Sequence, residues 1–195
     1  MSTLKVSTIS PLGTDATKTI TVGASGDTFT VTDGVTVSGA SANTPSFQAF
    51  KAANQTISAS SYVQIQFDTK DYDTDTCYNN TGSSTTLNGL TAPAYSFVPN
   101  VAGKYLIGAA VNSNTSTDFD AFIVAIFKNG TQINRVINSS RHFDSAVTNF
   151  IVTANGTGDY FQIYGYTEQS GGSTLQPTDS DSRLMWFCGH RLIGA

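Results

Sequence analysis

From Phe119 to Phe127 nearly every residue after Asp120 is apolar (Phe119-Asp-Ala-Phe-Ile-Val-Ala-Ile-Phe127), and two positions later stands Asn129-Gly130. That pair supplies the two positive-φ residues of a type I′ turn, so Phe127-Lys-Asn-Gly-Thr131 predicts a tight hairpin between antiparallel strands. An apolar residue at successive positions, rather than alternate ones, suits a strand covered on both faces by a second sheet, with a neighbouring subunit as a further cover. Such a strand is central in its sheet.

Other strand signals surround this hairpin. Tyr62-Val-Gln-Ile-Gln-Phe67 puts Val63, Ile65 and Phe67 on one face and Tyr62, Gln64 and Gln66 on the other, a half-buried strand. Further strands are predicted at Phe47–Ala52, Tyr95–Val98, Gly103–Asn112, Ala146–Ala154, Tyr160–Thr167 and Leu184–Ile193, many spaced by turn residues. About a quarter of the 195 residues are Ser or Thr and only 12% are charged, a composition that favours strands and polar turns over helix. The fold class is all-β: a sandwich, barrel or jelly roll.

The first 40 residues differ from the rest. Ile20-Thr-Val22, Phe29-Thr-Val31 and Val35-Thr-Val37 alternate apolar residues with Thr and are separated by Gly-rich turns. One copy of such a β-ribbon has too few apolar residues to bury a core, whereas three copies around an axis, a short trimeric β-prism, would have enough. The same composition also suits a disordered tail. Residues 41–46, in a small polar stretch that reaches Pro45, read as a linker, which leaves 47–195 as the head domain.

The net charge of −4 leaves no basic field to neutralise phosphates, so nucleic acid is not an expected partner. No apolar run approaches the roughly 20 residues that span a bilayer, and Met1 to Ile9 lacks the apolar stretch of a signal peptide. Membrane insertion is not expected, and synthesis in a cytoplasm is. Cys77 and Cys188 lie far apart with no CxxC spacing and read as free thiols.

Five landmarks from Phe47 to Ala195 resemble, in order, the globular heads of complement-type collagenous proteins and tumour necrosis factors. They are Gln64-Ile-Gln-Phe-Asp68, Cys77-Tyr-Asn-Asn-Thr-Gly82, Tyr95-Ser-Phe-Val-Pro-Asn-Val-Ala-Gly-Lys-Tyr105, the Phe127–Gly130 hairpin with Gly158-Asp-Tyr-Phe-Gln-Ile-Tyr164, and Trp186-Phe-Cys-Gly-His-Arg-Leu-Ile193. The resemblance implies a ten-stranded jelly roll that trimerises through its inner sheet. It places Tyr105, Tyr160, Phe161, Ile163, Tyr164, Trp186 and His190 on strands the family uses for that sheet. Some are then expected at the threefold axis and others in the core, and alternation alone leaves open which. Thr17 to Thr28 resembles β-ribbon segments of fibre and appendage proteins of marine cyanobacterial phages. The Gly-X-Y stalk of the animal relatives is absent, which favours a viral or bacterial setting.

Catalytic chemistry finds little footing. His142, in Ser-Arg-His-Phe-Asp144, has an acid two positions on, but a histidine in a loop or at a strand edge is the commoner explanation; His190 reads as packing near the trimer axis. Asp71, Asp73 and Asp75 are spaced for a hard cation, yet an EF-hand would next need Gly at position 76 and Glu at position 82, where Thr76 and Gly82 stand. A solvated acidic loop is preferred. A calcium loop is the alternative the resemblance leaves open, because complement-type heads can bind calcium in loops. Asn114-Thr-Ser116 and Asn155-Gly-Thr157 read as turns, and Gly156-Thr-Gly158 lacks the Gly-Lys-Ser/Thr of a phosphate loop.

The expectation is therefore a non-enzymatic virion structural protein without cofactor: a homotrimeric capsid decoration or short fibre, held to other virion proteins through residues 1–40. Its location would be the virion, assembled in the host bacterial cytoplasm. The alternative is a receptor-binding tip whose loops bind a host surface glycan or protein, with trimeric display multiplying weak contacts. A glycan-cleaving enzyme ranks last, since it needs two carboxylates roughly 5–10 Å apart and the 14 acids fall mostly in turns.

Overall fold

The structure is a computed structural model that describes residues 43–113, 121–138, 144–179 and 182–193. The expected N-terminal ribbon, His142, the Asn114 triplet and the start of the apolar run at Phe119 lie outside the described residues.

The described residues contain no helix and form 17 strands. The chain begins with β1 (Ser46–Phe50), β2 (Gln55–Ile57), β3 (Val63–Gln64), β4 (Thr69–Asp73) and β5 (Tyr78–Asn79). A small hairpin, β6 (Thr85–Leu87) and β7 (Leu90–Ala92), precedes β8 (Ser96–Phe97) and the long β9 (Gly103–Ser113). Then come β10 (Phe122–Lys128), β11 (Thr131–Asn138), β12 (Asp144–Ala154) and β13 (Phe161–Thr167). The last are β14 (Ser173–Leu175), a hairpin of β15 (Thr178–Asp179) and β16 (Ser182–Arg183), and β17 (Trp186–Leu192).

Two sheets face each other. In the seven-stranded sheet β12 pairs with β9 along their full lengths, and β9, β17, β1 and β4 follow side by side, with β14 and β2 extending it past the end of β17. The six-stranded sheet runs β11, β10, β13, β8, β5, with β3 added to β13. Phe47, Ala49, Tyr105, Ile107, Ala109, Val111 and Phe187 from the first sheet meet Phe97, Phe122, Val124, Ile126, Phe161 and Ile163 from the second in one core.

Phe47 is the centre of that core. Its ring stacks on Tyr78 at 4.5 Å and Phe97 at 4.6 Å and meets Phe187 edge-on at 4.8 Å. The space exists because Gly189 stands opposite Phe47 in the ladder, where a Cβ would lie 2.8 Å from the Phe47 ring and 2.9 Å from that of Phe97.

The predicted hairpin forms between β10 and β11, with Asn129 at φ 52 and Gly130 at φ 77. Asn129 also joins it to the start of β13: its Oδ1 accepts from the Tyr160 N–H at 2.9 Å and its Nδ2 donates to Asp159 at 2.8 Å. Burial works against the Asp159 carboxylate, but Lys128 at 2.9 Å, Asn129 and the Asn155 N–H outweigh it and hold its pKa below the usual range. β10 is flanked on both sides, by β11 and β13, as expected of a central strand. Only one of its faces meets the seven-stranded sheet. The other belongs to its own sheet's outer surface, where the rings of Tyr62, Phe127, Tyr164 and Tyr166 pack together.

The Tyr62–Phe67 strand is shorter than its pattern: Val63–Gln64 pair with β13, and the Ile65 N–H donates to Ile163 O at 2.9 Å. The side chain of Gln55 serves the opposite edge, its Nε2 donating to Gln64 O at 2.8 Å and its Oε1 accepting from Gln66 N at 2.9 Å. The two faces nonetheless fall as the alternation predicts: Ile65 and Phe67 are fully buried, Val63 packs on the core and Gln66 is exposed.

Candidate self-association surface

β9, β12 and β17 are long, regular and in unbroken register, so strand alternation sends every second side chain away from the core onto one open face. β17 presents Trp186, Cys188 and His190 there. From β9 come Leu106, Gly108 and Ala110, which stand opposite His190, Cys188 and Trp186 in the ladder. From β12 come Val147, Asn149 and Ile151, opposite Ala110, Gly108 and Leu106.

Leu106, Ala110, Val147, Ile151 and Trp186 make much of the face apolar around Asn149, and no second layer of described residues covers it. Ile151 exposes 56% of its surface and Val147 50%, unusual for β-branched residues in the middle of a long strand. Gly108 leaves room for the side chains that lean over it, because a Cβ there would lie 2.5 Å from Asn149 Oδ1, 3.2 Å from the Trp186 ring and 3.3 Å from Cys188 Sγ.

Polar groups gather along one margin. Tyr72 Oη lies 3.3 Å from Nδ1 of His190, and their rings are 6.4 Å apart. Asp71 pairs with Arg183, whose guanidinium lies 3.9 Å over the Phe50 ring, and also accepts from Gln48 at 3.3 Å. Burial raises the Tyr72 phenol and lowers the His190 imidazole, so both favour their neutral forms.

The sequence-predicted interface residues divide. Trp186 and His190 lie on the open face. Tyr105, Phe161 and Ile163 are fully buried inside the sandwich, where no second copy can touch them. Tyr105 is turned inward by its neighbours: its ring meets Phe97 at 5.7 Å and its hydroxyl donates to Val101 O at 2.6 Å. Tyr160, Phe161, Ile163 and Tyr164 lie at or in β13, which belongs to the six-stranded sheet and not to the sheet of β9 and β17. Tyr164 faces outward there, against Phe127 at 4.2 Å.

Asp71, Asp73 and Asp75 do not converge. The register shifts between Gln48 and Ala49, which pair with Tyr72 and Lys70, so Asp71 is the extra residue of a β-bulge. Asp73 instead pairs with Lys70 at 2.8 Å and accepts from the Cys77 and Tyr78 N–H groups at 2.8 and 3.1 Å. Asp75 lies beside Thr74. Among the described residues no group of three His, Cys, Asp or Glu side chains is arranged to hold a metal ion.

Both cysteines are free thiols, and burial pushes each pKa up to about 11. A thiol so much less acidic than an exposed one holds about a hundredfold less thiolate at neutral pH. Iodoacetamide should therefore label the native chain at least about tenfold more slowly than a small thiol. The fully buried Cys77 should be the slower of the two, as intact mass against time will show.

No protein-family model and no curated protein matches the chain. Solved structures do. It is similar to murine APRIL at pH 5.0, with a TM-score of 0.53 and 10% identity, covering 75% of this chain and 98% of that one. The globular domain of zebrafish complement 1qA gives a TM-score of 0.52 at 12% identity, with 76% and 97% covered. The fold is the jelly roll of tumour necrosis factors and complement heads. The Eiger TNF of S. frugiperda agrees, at a TM-score of 0.50 and 11% identity over 77% and 93% of the two chains. The head that the Tyr95–Tyr105 and Trp186–Ile193 motifs resemble is thus present in this chain as a jelly roll. Leu106, Ala110, Val147 and Ile151, which complete its open face, escaped the sequence reading; the signal that marks them is the two long strands' alternation, read outward from the core positions.

Proposed function

We propose that this chain is a non-enzymatic structural protein that assembles as a homotrimer through the open face of its seven-stranded sheet, and that it serves as a capsid decoration or short fibre of a bacteriophage particle. The uncovered apolar face around Trp186, Ile151 and Val147 carries the self-association. Leaving such a surface in water is unfavourable by roughly 25 cal/mol per Å2, and another copy of the same chain is the partner always at hand. The tumour necrosis factor and complement fold supports the same reading. The phage setting rests on the resemblance of Thr17 to Thr28 to ribbon segments of fibre and appendage proteins. In it, residues 1–40 grip the particle and the heads project.

A structural role fits the chemistry of the head. Asp68, Asp71, Asp73 and Asp159 are all engaged by cations, with Lys51, Arg183, Lys70 and Lys128, which leaves them poorly placed as paired catalytic acids. Light scattering of the full chain is expected to give three times its 20.6 kDa mass. A single-chain mass at micromolar concentration would remove the assembly, and purified particles that lack the protein would remove the virion role.

A further inference from the structure

We propose that the self-association is controlled by pH through His190, so that the assembly holds at neutral and basic pH and loosens in acid. This deepens the proposed function and rests on its assembly face.

The placement is specific. His190 sits on β17, flanked in the sheet by Ser46 of β1 and Leu106 of β9, on the same face as Trp186 and Cys188. It is the only described histidine, and it stands on that face between Leu106 and Tyr72. The groups around it offer an imidazolium little compensation. From β4 come Tyr72, a neutral phenol 3.3 Å away, and Asp71, whose charge is taken by Arg183. From β9 comes Lys104, two positions from Leu106 on the same face, a like charge. β1 brings Ser46 and Gln48, neither of which titrates. On β17 itself Cys188 is held neutral, and Arg191 is turned to Ala102 O at 3.5 Å.

The direction follows from linkage. Partial burial already lowers His190 below its ordinary 6.5 in the single chain. Covering the face removes more water and lowers it further. The separate chain then binds protons that the assembly must shed, so association is full above the pKa of the separate chain and is lost as pH falls through and below it. Three chains shed up to three protons, which weakens trimer formation by as much as roughly a thousandfold per pH unit within that window.

Trp186 is the only tryptophan and lies four residues from His190 on the same face, so its emission reports whether that face is dry. The test is the sedimentation mass and Trp186 emission of the full chain at about pH 8 and about pH 5. The expected result is a three-chain mass with blue-shifted emission at the higher pH and a reversible red shift at the lower. Mass falls with the red shift unless residues 1–40 hold the chains together, in which case the red shift alone appears. His190→Gln, neutral at both values, should keep the blue-shifted state throughout. Identical wild-type emission at both values, or an unaltered transition in His190→Gln, overturns the proposal while leaving the assembly intact. A single-chain mass at the higher pH would instead sink the assembly reading itself.

Discussion

Replacing Phe47 with alanine is expected to lower the stability of the head by about 3–5 kcal/mol, the range for deleting a fully buried aromatic ring. Three stacked or edge-on partners, Tyr78, Phe97 and Phe187, would lose contact at once, and each aromatic pair adds roughly 0.5–1.5 kcal/mol beyond its buried area. The site cannot collapse easily. Gly189 faces the ring from the neighbouring strand and has no side chain to fill the gap, while β1 is held on both sides by β17 and β4. Domains of this size hold only ~5–15 kcal/mol in total, so the melting midpoint should fall on the order of 10 °C. Denaturant titration with an unchanged slope would confirm it, and a loss below about 1 kcal/mol would show that Phe47 is not the centre of the core.

That core shows what a single sequence discloses. The Asn129-Gly130 turn was legible because its requirement is local: two residues with positive φ between strands. The strands β9 and β12 were legible at Gly103–Asn112 and Ala146–Ala154, but alternation gives each two faces and does not say which turns inward. The centrality of Phe47 was not legible. It depends on which strand lies beside β1 and on a glycine more than a hundred positions later in the chain, facts of topology and register that no window contains.

The site followed the same division. Trp186 and His190 were picked out by the resemblance of the terminal strand, and they do share a face. Tyr105, Phe161 and Ile163 were grouped with them by strand identity, but an aromatic on an alternating strand has two directions open to it, and the sandwich interior claimed all three. The acidic triplet, read as a solvated loop with a calcium loop as the alternative, instead places Asp71 and Asp73 on a strand. Spacing of two places side chains together only on a regular strand, and the bulge at Asp71 breaks that rule, sending Tyr72 toward His190 and Lys70 toward Asp73. A bulge is set by the partner strand, and nothing within Thr69–Asp73 announces it.

Ile151→Asp is expected to convert the full chain from a three-chain to a single-chain mass at micromolar concentration while leaving its circular dichroism that of the folded head. Within one chain the substitution is mild. Ile151 is 56% exposed, so the loss is chiefly the cross-strand contact with Leu106, worth about 0.2–1 kcal/mol. Within an assembly it is severe, because a carboxylate would be driven against an apolar face three times over, and burying even a neutral polar group without a partner costs about 1–3 kcal/mol by mutational measure. Three such penalties correspond to several orders of magnitude in the association constant. The two readings of this face thus differ in outcome: an ordinary exposed surface predicts a near-silent mutation, and an interface predicts dissociation. Trp186 would be a poorer choice for the same experiment, because its ring lies across Gly108 and its removal would disturb the sheet as well as the surface. If Ile151→Asp retains the three-chain mass of the wild type, the seven-stranded face is not what joins the chains, and the association must be sought in residues 1–40.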